Sequence, residues 1–245
     1  LHMRCLFFLF SILPFSLASQ GGFDPVISEQ WEPEPRIVTS GQTMNTPPSD
    51  AIILWGGEDS REMWMHRGGE ALMWTNEEDA LVVKPGSGDI LSRQEFGDIQ
   101  LHLEFRTPAV IDGEGQGRGN SGLYFQGRYE VQILDSYDNR TYSNGQAASI
   151  YKQTPPLVNA CRPPGEWQTY DVIFTAPRFN EDGMRTEMGR ITVFHNGVLV
   201  QNNTPIYGTT EYRNLPKNEA HGPGPIILQD HDNLTAFRNI WVREL

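Results

Sequence analysis

The sequence predicts an all-β protein, and three observations support that prediction. The 245 residues include 24 Gly and 17 Pro without a collagen-like period, which indicates many turns between short elements. After residue 50, short runs of strand composition alternate with turn signals, and almost no window keeps the spacing of an amphipathic helix. Hydrophobic residues make up 38% of the chain, which is enough to bury a core. Many short strands at close spacing favour a β-sandwich or a barrel.

The first 49 residues are expected to precede this domain. Residues 1–18 combine one positive charge, a short apolar block and small residues at the end, which is the pattern of a secretory signal peptide. A buried N-terminal helix is the alternative interpretation, which Pro14 disfavours. Residues 19–49 are rich in Pro, Gln, Glu and Thr and predict an extended leader over the surface of a domain at 50–245. We therefore expect an exported protein, periplasmic or extracellular, with no transmembrane span after signal removal.

The predicted strands follow one another through the domain. They are rich in β-branched, aromatic and other apolar residues and are separated by Gly, Pro, Asn and Asp. In chain order they are 51–55, 71–74, 80–84, 98–106, 121–126, 129–134, 149–152, 167–175, 190–195, 198–202, 226–229 and 237–243. The clearest turn is Asn196–Gly197, which is the strongest short-range signal for a two-residue hairpin.

Alternation along two of these strands assigns their faces. The strand that contains His102 and Glu104 places apolar side chains at odd positions and polar ones at even positions. The strand that contains Glu130 and Gln132 has the same pattern. Each strand should therefore turn one face to a core and a polar face to a wet, functional surface.

Charge and cysteine content narrow the classes of function. With 19 basic and 31 acidic residues the net charge is -12, which repels phosphate backbones, so a nucleic acid partner is not expected. Cys5 lies in the predicted signal peptide, so Cys161 is left without an internal disulfide partner. The domain must then depend on its core for stability.

Five ordered motifs extend from the middle of the chain to its end. They are NSGLYF at 120–125, YEVQILDS at 129–136, ASIY at 148–151, PGEWQTYD at 164–171, and LQDH at 228–231 with FRNI at 237–240. In this order they resemble the 3-keto-disaccharide hydrolase domain family, and the resemblance runs from about residue 50 to the C-terminus. One departure is Asp232, where that family usually has Gly in a His-Gly turn. A non-glycine residue is harder to fit there, because such a turn favours a positive φ.

The resemblance implies a concanavalin A-like jelly-roll β-sandwich of two antiparallel sheets, in exported bacterial proteins that process sugars. A polar sheet face suits a carbohydrate substrate, because sugars present hydroxyl groups and apolar C–H patches. The candidate substrate-binding and catalytic side chains are His102, Glu104, Glu130, Gln132, Lys152 and His231, with aromatic help from Tyr124 or Tyr151. Arg238 is a further candidate, with pairing to an acid favoured over direct contact with substrate.

A sugar already oxidised at C3 can be cleaved by elimination. The ketone acidifies the C2 proton, one base removes it, the glycosidic oxygen leaves C1, and water adds to the resulting enone. We expect Glu130 to be the base, His231 the acid, and Lys152 or Gln132 a partner for the enolate or the sugar hydroxyls.

Three alternatives stay open from the sequence. A conventional glycoside hydrolase needs two carboxylates, and Glu104 is the candidate for the second. A non-catalytic carbohydrate-binding module has the same architecture. A cell-surface interaction domain would instead expose an apolar patch. No cofactor is predicted with certainty; Ca²⁺ is the candidate metal, with Asp135 and Asp138 as its ligands.

Overall fold

The structure, a computed structural model, describes residues 25–245. These residues belong to two units, and the boundary between the units falls between Ile37 and Val38. The described part of the first unit contains the 3₁₀ helix Pro25–Ser28 and exposes the side chain of Trp31. The predicted signal peptide and the start of the predicted leader lie outside the described residues. Within 25–245, no helix has both the length and the apolar character needed to span a membrane.

Fifteen β-strands form the framework of the second unit. In chain order they are β1 (Ile52–Trp55), β2 (Trp64–His66), β3 (Thr75–Glu77), β4 (Ala80–Val82), β5 (Ile90–Phe96), β6 (Ile99–Arg106), β7 (Ser121–Phe125), β8 (Tyr129–Ile133), β9 (Gln168–Thr175), β10 (Arg178–Phe179), β11 (Arg185–Glu187), β12 (Gly189–His195), β13 (Val198–Ile206), β14 (Gly224–Leu228) and β15 (Ala236–Glu244). Three short 3₁₀ helices lie between them, at Glu58–Met63, Gly115–Gly117 and Ser143–Gly145.

The described strands build two main antiparallel sheets. The larger has the order β13-β12-β9-β6-β15-β4-β3, and β1 also pairs with β15. The smaller has the order β2-β5-β14-β7-β8, while β10 and β11 form a separate hairpin. The predicted jelly-roll β-sandwich is confirmed.

The core lies between the two main sheets. Apolar side chains at alternate positions of β6 and β8 are buried in one cluster, as the sequence pattern predicts. Phe125 of the smaller sheet stacks on Phe174 of the larger, with ring centroids 4.8 Å apart. Burial of side chains of this size contributes about 1.5–3 kcal/mol each, so the two sheets stabilise one another.

The hairpin prediction is confirmed, whereas two of the predicted strands are wrong. Asn196 and Gly197 have φ of 51° and 77° and connect β12 to β13. Residues 71–74 and 149–152 contain only isolated bridges, at Ala71 and Ile150. The second segment instead follows the free edge of β8, where Ser149 accepts a backbone hydrogen bond from Gln132. That segment forms one wall of the site.

The polar face of β6 is not the wet surface that alternation predicts. His102 is fully buried and Glu104 is 6% exposed. Side chains of β15 and a segment before β1 cover this face, and the carbonyl of Asn45 accepts hydrogen bonds from Asn239 and Trp241. Alternation therefore identifies the two faces of β6 correctly, but not what lies on the outer one.

Candidate active site

A cavity of about 670 Å³ opens on the outer face of the smaller sheet. Its volume lies in the range typical of small-molecule sites. Its lining is largely polar and aromatic and consists of Gln116, Gly117, Asn120, Tyr124, Glu130, Gln132, Tyr142, Tyr151, Lys152, Thr210, Tyr212, Gln229 and His231. Six of the predicted site residues are therefore brought together here: Tyr124, Glu130, Gln132, Tyr151, Lys152 and His231.

Glu130 lies at the floor of this cavity and is only 3% exposed. The Tyr124 hydroxyl donates to its Oε2 at 2.9 Å. With its amide nitrogen turned toward the carboxylate, Gln132 donates to Oε1 at 2.9 Å and to the carbonyl of Ser121 at 2.9 Å. Burial raises the pKa of Glu130 to about 8; the Tyr124 hydrogen bond opposes this shift and the charge of Asp89 adds to it. A carboxyl group of this kind is suited to take up a proton near neutral pH.

A glycine on the neighbouring strand makes room for this carboxylate. Gly122 of β7 pairs with Gln132 of β8. A Cβ atom on Gly122 would lie 2.7 Å from Oε1 of Glu130 and 2.8 Å from the ring of Tyr124. Gly122 is therefore needed for the close approach of the two groups.

Tyr124 holds the base and stays protonated while doing so. Besides donating to Glu130, its hydroxyl accepts a hydrogen bond of 3.3 Å from Nε2 of Gln229. Burial and then the negative charge of Glu130 raise the pKa of Tyr124 far above its ordinary value. The hydroxyl therefore remains a hydrogen-bond donor at neutral pH.

The segment along the free edge of β8 supplies an aromatic wall. The backbone N–H of Tyr151 donates to the carbonyl of Glu130 at 3.1 Å, which fixes Tyr151 beside the base. Lys152 has φ of 56°, and its N–H donates to Asn144 at 2.8 Å. Its ammonium group donates to the carbonyl of Tyr212 at 2.7 Å and lies 4.3 Å from the centre of that ring. The wall thus carries one positive charge.

His231 enters the cavity from the turn that follows β14, and it is exposed. The next residue, Asp232, has φ of 60°, and its N–H donates to Oδ1 of Asp230 at 3.0 Å. Asp232 therefore adopts the backbone conformation expected of glycine, and the Asp230 side chain supports the turn.

The structure places His102, Glu104 and Arg238 away from this cavity. They lie on β6 and β15 of the larger sheet, on its outer face. Nδ1 of His102 lies 2.7 Å from Oδ1 of Asp171, and Glu104 accepts hydrogen bonds from Arg238 at 2.6 Å and Asn239 at 3.0 Å. The expectation that His102 and Glu104 line one polar face together with Glu130 is wrong. Arg238 does pair with an acid, as predicted.

The contacts within this separate group shift the pKa values of Glu104 and His102. Burial alone would raise the pKa of Glu104, but the His102 imidazole, with Nε2 3.8 Å from Oε1, and hydrogen bonds from Asn239 and Arg238 outweigh it and lower the pKa to about 2. Burial disfavours the charged form of His102, yet Asp171 and Glu104 more than offset this and raise its pKa. We interpret the group as a partly buried ion-pair network on the outer face, in which His102 and Glu104 are buried and Arg238 and Asp171 reach the solvent.

The residues proposed for calcium do not fit a calcium site. Oδ2 of Asp135 accepts from Nε of Arg118 at 2.6 Å, and its Oδ1 accepts from the N–H of Tyr137. Asp138 is exposed, and the Asn139 amide already binds the carbonyl of Asp135. Across 25–245, no group of three or more His, Cys, Asp or Glu side chains is arranged to hold a metal ion.

Several lining residues were not predicted from the sequence. Tyr142 and Tyr212 lie in connecting segments without periodicity, and so do Gln116 and Thr210. Thr210 is tied to the site because its hydroxyl accepts the backbone N–H of Glu130 at 2.9 Å. Among these four residues, the sequence offered a signal only for Tyr142, which lies close in sequence to the ASIY motif.

Comparisons with known proteins identify the family of the chain and support its fold. The sequence profile described as the 3-keto-alpha-glucoside-1,2-lyase-like domain matches residues 50–243. A solved structure from Parabacteroides distasonis, provisionally named a glycosyl hydrolase, is 48% identical; the match covers 93% of this chain and 99% of that chain, with a TM-score of 0.88. A second such structure from the same organism is 20% identical, covers 80% and 94% of the two chains with a TM-score of 0.58, and shows the fold alone. No curated protein matches the chain. The chain therefore belongs to the 3-keto-disaccharide hydrolase family, the family of the 3-keto-alpha-glucoside-1,2-lyase-like domain.

Proposed function

We propose that this protein cleaves 3-keto-glycosides by base-catalysed elimination followed by hydration. Its family and its glycosyl hydrolase relative give it a carbohydrate-related, hydrolase-like function. The observation that supports the finer assignment concerns Glu130: the acid whose charge raises its pKa, Asp89, does not line the cavity and accepts a hydrogen bond from the backbone N–H of Asp230. Among the described residues that line the cavity, it is the only carboxyl group.

A single carboxyl group argues against conventional glycoside hydrolysis. That reaction uses two carboxyl groups on either side of the scissile bond, at most about 10 Å apart. Glu104, the candidate for the second, lies on the other sheet and is bound to Arg238. Elimination next to a ketone needs only one base, so it matches the groups that are present.

The proposed reaction has three steps. The Glu130 carboxylate takes the C2 proton, and the C–H electron pair forms a C2–C3 double bond as charge moves to the ketone oxygen. The C1–O bond then breaks, the enone forms, and His231 donates a proton to the leaving oxygen. Water finally adds its oxygen to C1 and gives one proton back to His231, while Glu130 returns its proton to C2, which yields the free 3-keto sugar and restores both side chains.

The other lining groups support these steps. Gln132 is engaged with Glu130 and Ser121, so its amide positions the base. Lys152 brings a positive charge to the wall where enolate charge develops. The signal-peptide pattern of residues 1–18 supports a site of action outside the cytoplasm.

The test compares native and 3-keto forms of the same disaccharide. We expect release of the aglycone from the 3-keto form only, and a loss of at least about 100-fold in turnover for Glu130→Gln. Glu104→Gln is the matched control, because it makes the same change outside the cavity and should keep the turnover per folded molecule.

Two other results would favour a conventional glycoside hydrolase or a carbohydrate-binding module instead. Cleavage of the native sugar alone, lost in Glu104→Gln, would indicate a two-carboxylate hydrolase. Binding of the 3-keto sugar without any product would indicate a carbohydrate-binding module.

A further inference from the structure

Two tyrosine hydroxyls meet in the cavity without a role in the steps above. The hydroxyls of Tyr142 and Tyr151 lie 2.6 Å apart. Both residues line the cavity, and Tyr151 is fixed next to Glu130 by its backbone hydrogen bond. The pair therefore faces the same space as the base.

The pair has one proton to give to a third oxygen. Two hydroxyl groups carry two protons, and one of these lies in the bond between them. Neither hydroxyl has another hydrogen-bond partner among the described residues. A hydroxyl that already accepts a hydrogen bond is a stronger donor, so the pair acts as a short donor chain.

The surroundings favour negative charge on that third oxygen. The ammonium group of Lys152 lies 5.4 Å from the ring centre of Tyr142 and 5.9 Å from that of Tyr151. Burial raises the pKa of both hydroxyls above the ordinary value, so they remain donors at neutral pH. By contrast, Gln132 is already engaged, and Lys152 already donates to Tyr212.

We propose that the hydroxyls of Tyr142 and Tyr151 form the oxyanion site for the 3-keto oxygen. This inference rests on the proposed function and deepens it. When Glu130 takes the C2 proton, the electron pair of the C2–H bond becomes the new double bond and the ketone oxygen becomes an enolate. The terminal tyrosine donates a hydrogen bond to that oxygen and keeps its own proton. Removing one such donor costs about 100-fold to 1,000-fold in rate in other enzymes.

The test isolates enolate formation from cleavage. A 3-keto-1,5-anhydroglucitol lacks the glycosidic leaving group at C1, so removal of its C2 proton can be followed by NMR as exchange with solvent deuterium, without release of an aglycone. We expect exchange and elimination to fall together in Tyr142→Phe and Tyr151→Phe, by about 100-fold in one variant and about tenfold in the other. The larger loss identifies the terminal donor. The effect should appear in kcat with little change in KM, because the charge develops after binding.

Two further variants serve as a control for the loss of a hydroxyl and as a test of the nearby charge. Tyr207→Phe removes a hydroxyl from an exposed tyrosine outside the cavity and should change neither rate. Lys152→Met removes the charge beside the pair without altering either hydroxyl, and should slow the exchange about tenfold.

The two levels of the proposal fail in different ways. Exchange at the unaltered rate in both Phe variants and in Lys152→Met would overturn the oxyanion site and leave the elimination route standing. The absence of both exchange and elimination in the unaltered protein would overturn the proposed function itself.

Discussion

At the scale of single residues, Glu130 combines burial with a raised pKa, and this makes stability depend on pH. Its pKa of about 8 in the folded protein lies above the ordinary value of 4.5. The protonated side chain therefore contributes fully to the free energy of unfolding below pH 4.5, and this contribution is lost as the pH rises through 8. The side chain in Glu130→Gln cannot ionise, so this variant should not lose that stability. The loss in the unaltered protein is at most about 1.4 kcal/mol in the free energy of unfolding for each pH unit between 4.5 and 8.

Urea unfolding at pH 5 and pH 9 measures this difference. We expect Glu130→Gln to exceed the unaltered protein in free energy of unfolding by a larger margin at pH 9. An equal margin at both values would contradict the raised pKa. In the unaltered enzyme, kcat/KM should also increase with pH up to about 8 as the base ionises.

The sequence predicted part of the site residue by residue. Alternation and the motifs located Glu130 and Gln132. When one face of a strand is buried in the core, the alternate residues all lie together on the opposite face. The same reasoning placed His102 and Glu104 beside them, which was wrong. Alternation assigns a face within a strand, whereas the choice of sheet depends on pairing between distant strands. Tyr142 belongs to a connecting segment and gave no periodic signal.

At the scale of elements, the ion pairs between β6 and β15 should make stability depend on pH in the opposite direction. The pKa of Glu104 is lowered to about 2, so its carboxylate stabilises the fold above pH 4.5 and loses this effect as the pH falls toward 2. Glu104→Gln should cost about 1–3 kcal/mol at pH 7, because Arg238 loses a charged partner. The cost should be smaller at pH 3, as followed by urea unfolding. A cost that does not change with pH would indicate lost packing instead of lost charge.

Strand prediction was accurate on the long alternating run of β6 and missed a strand of polar composition in the smaller sheet. Strand β6 reads as an alternating run and was predicted within one residue of its bounds. Strand β5 was missed, because its central positions are Ser92, Arg93 and Gln94, although it pairs with β2 and β14. Pairing partners on both sides stabilise such a strand in spite of its composition.

At the scale of the whole molecule, the cavity depends on the packing of one sheet on the other. The smaller sheet carries Glu130 and Tyr124 on its outer face and rests on the larger sheet through its inner face. Cys161 is a free thiol, so no disulfide between described residues secures this arrangement. The geometry of the site should therefore be lost in the same transition as the core.

Phe174 provides the final prediction, because it stacks on Phe125 from the opposite sheet and is fully buried. Phe174→Ala should reduce the free energy of unfolding by about 3–5 kcal/mol through lost burial and the cavity it leaves. Ile173→Ala, one position earlier on β9, is the matched control; its side chain is 46% exposed and should cost less than about 1 kcal/mol. Urea unfolding should be followed by tryptophan fluorescence and by 3-keto-glycoside turnover in parallel. Because one core joins both sheets, the two signals should share one midpoint and shift together in Phe174→Ala. Turnover that survives beyond the fluorescence transition would show that the smaller sheet keeps its cavity without the larger one.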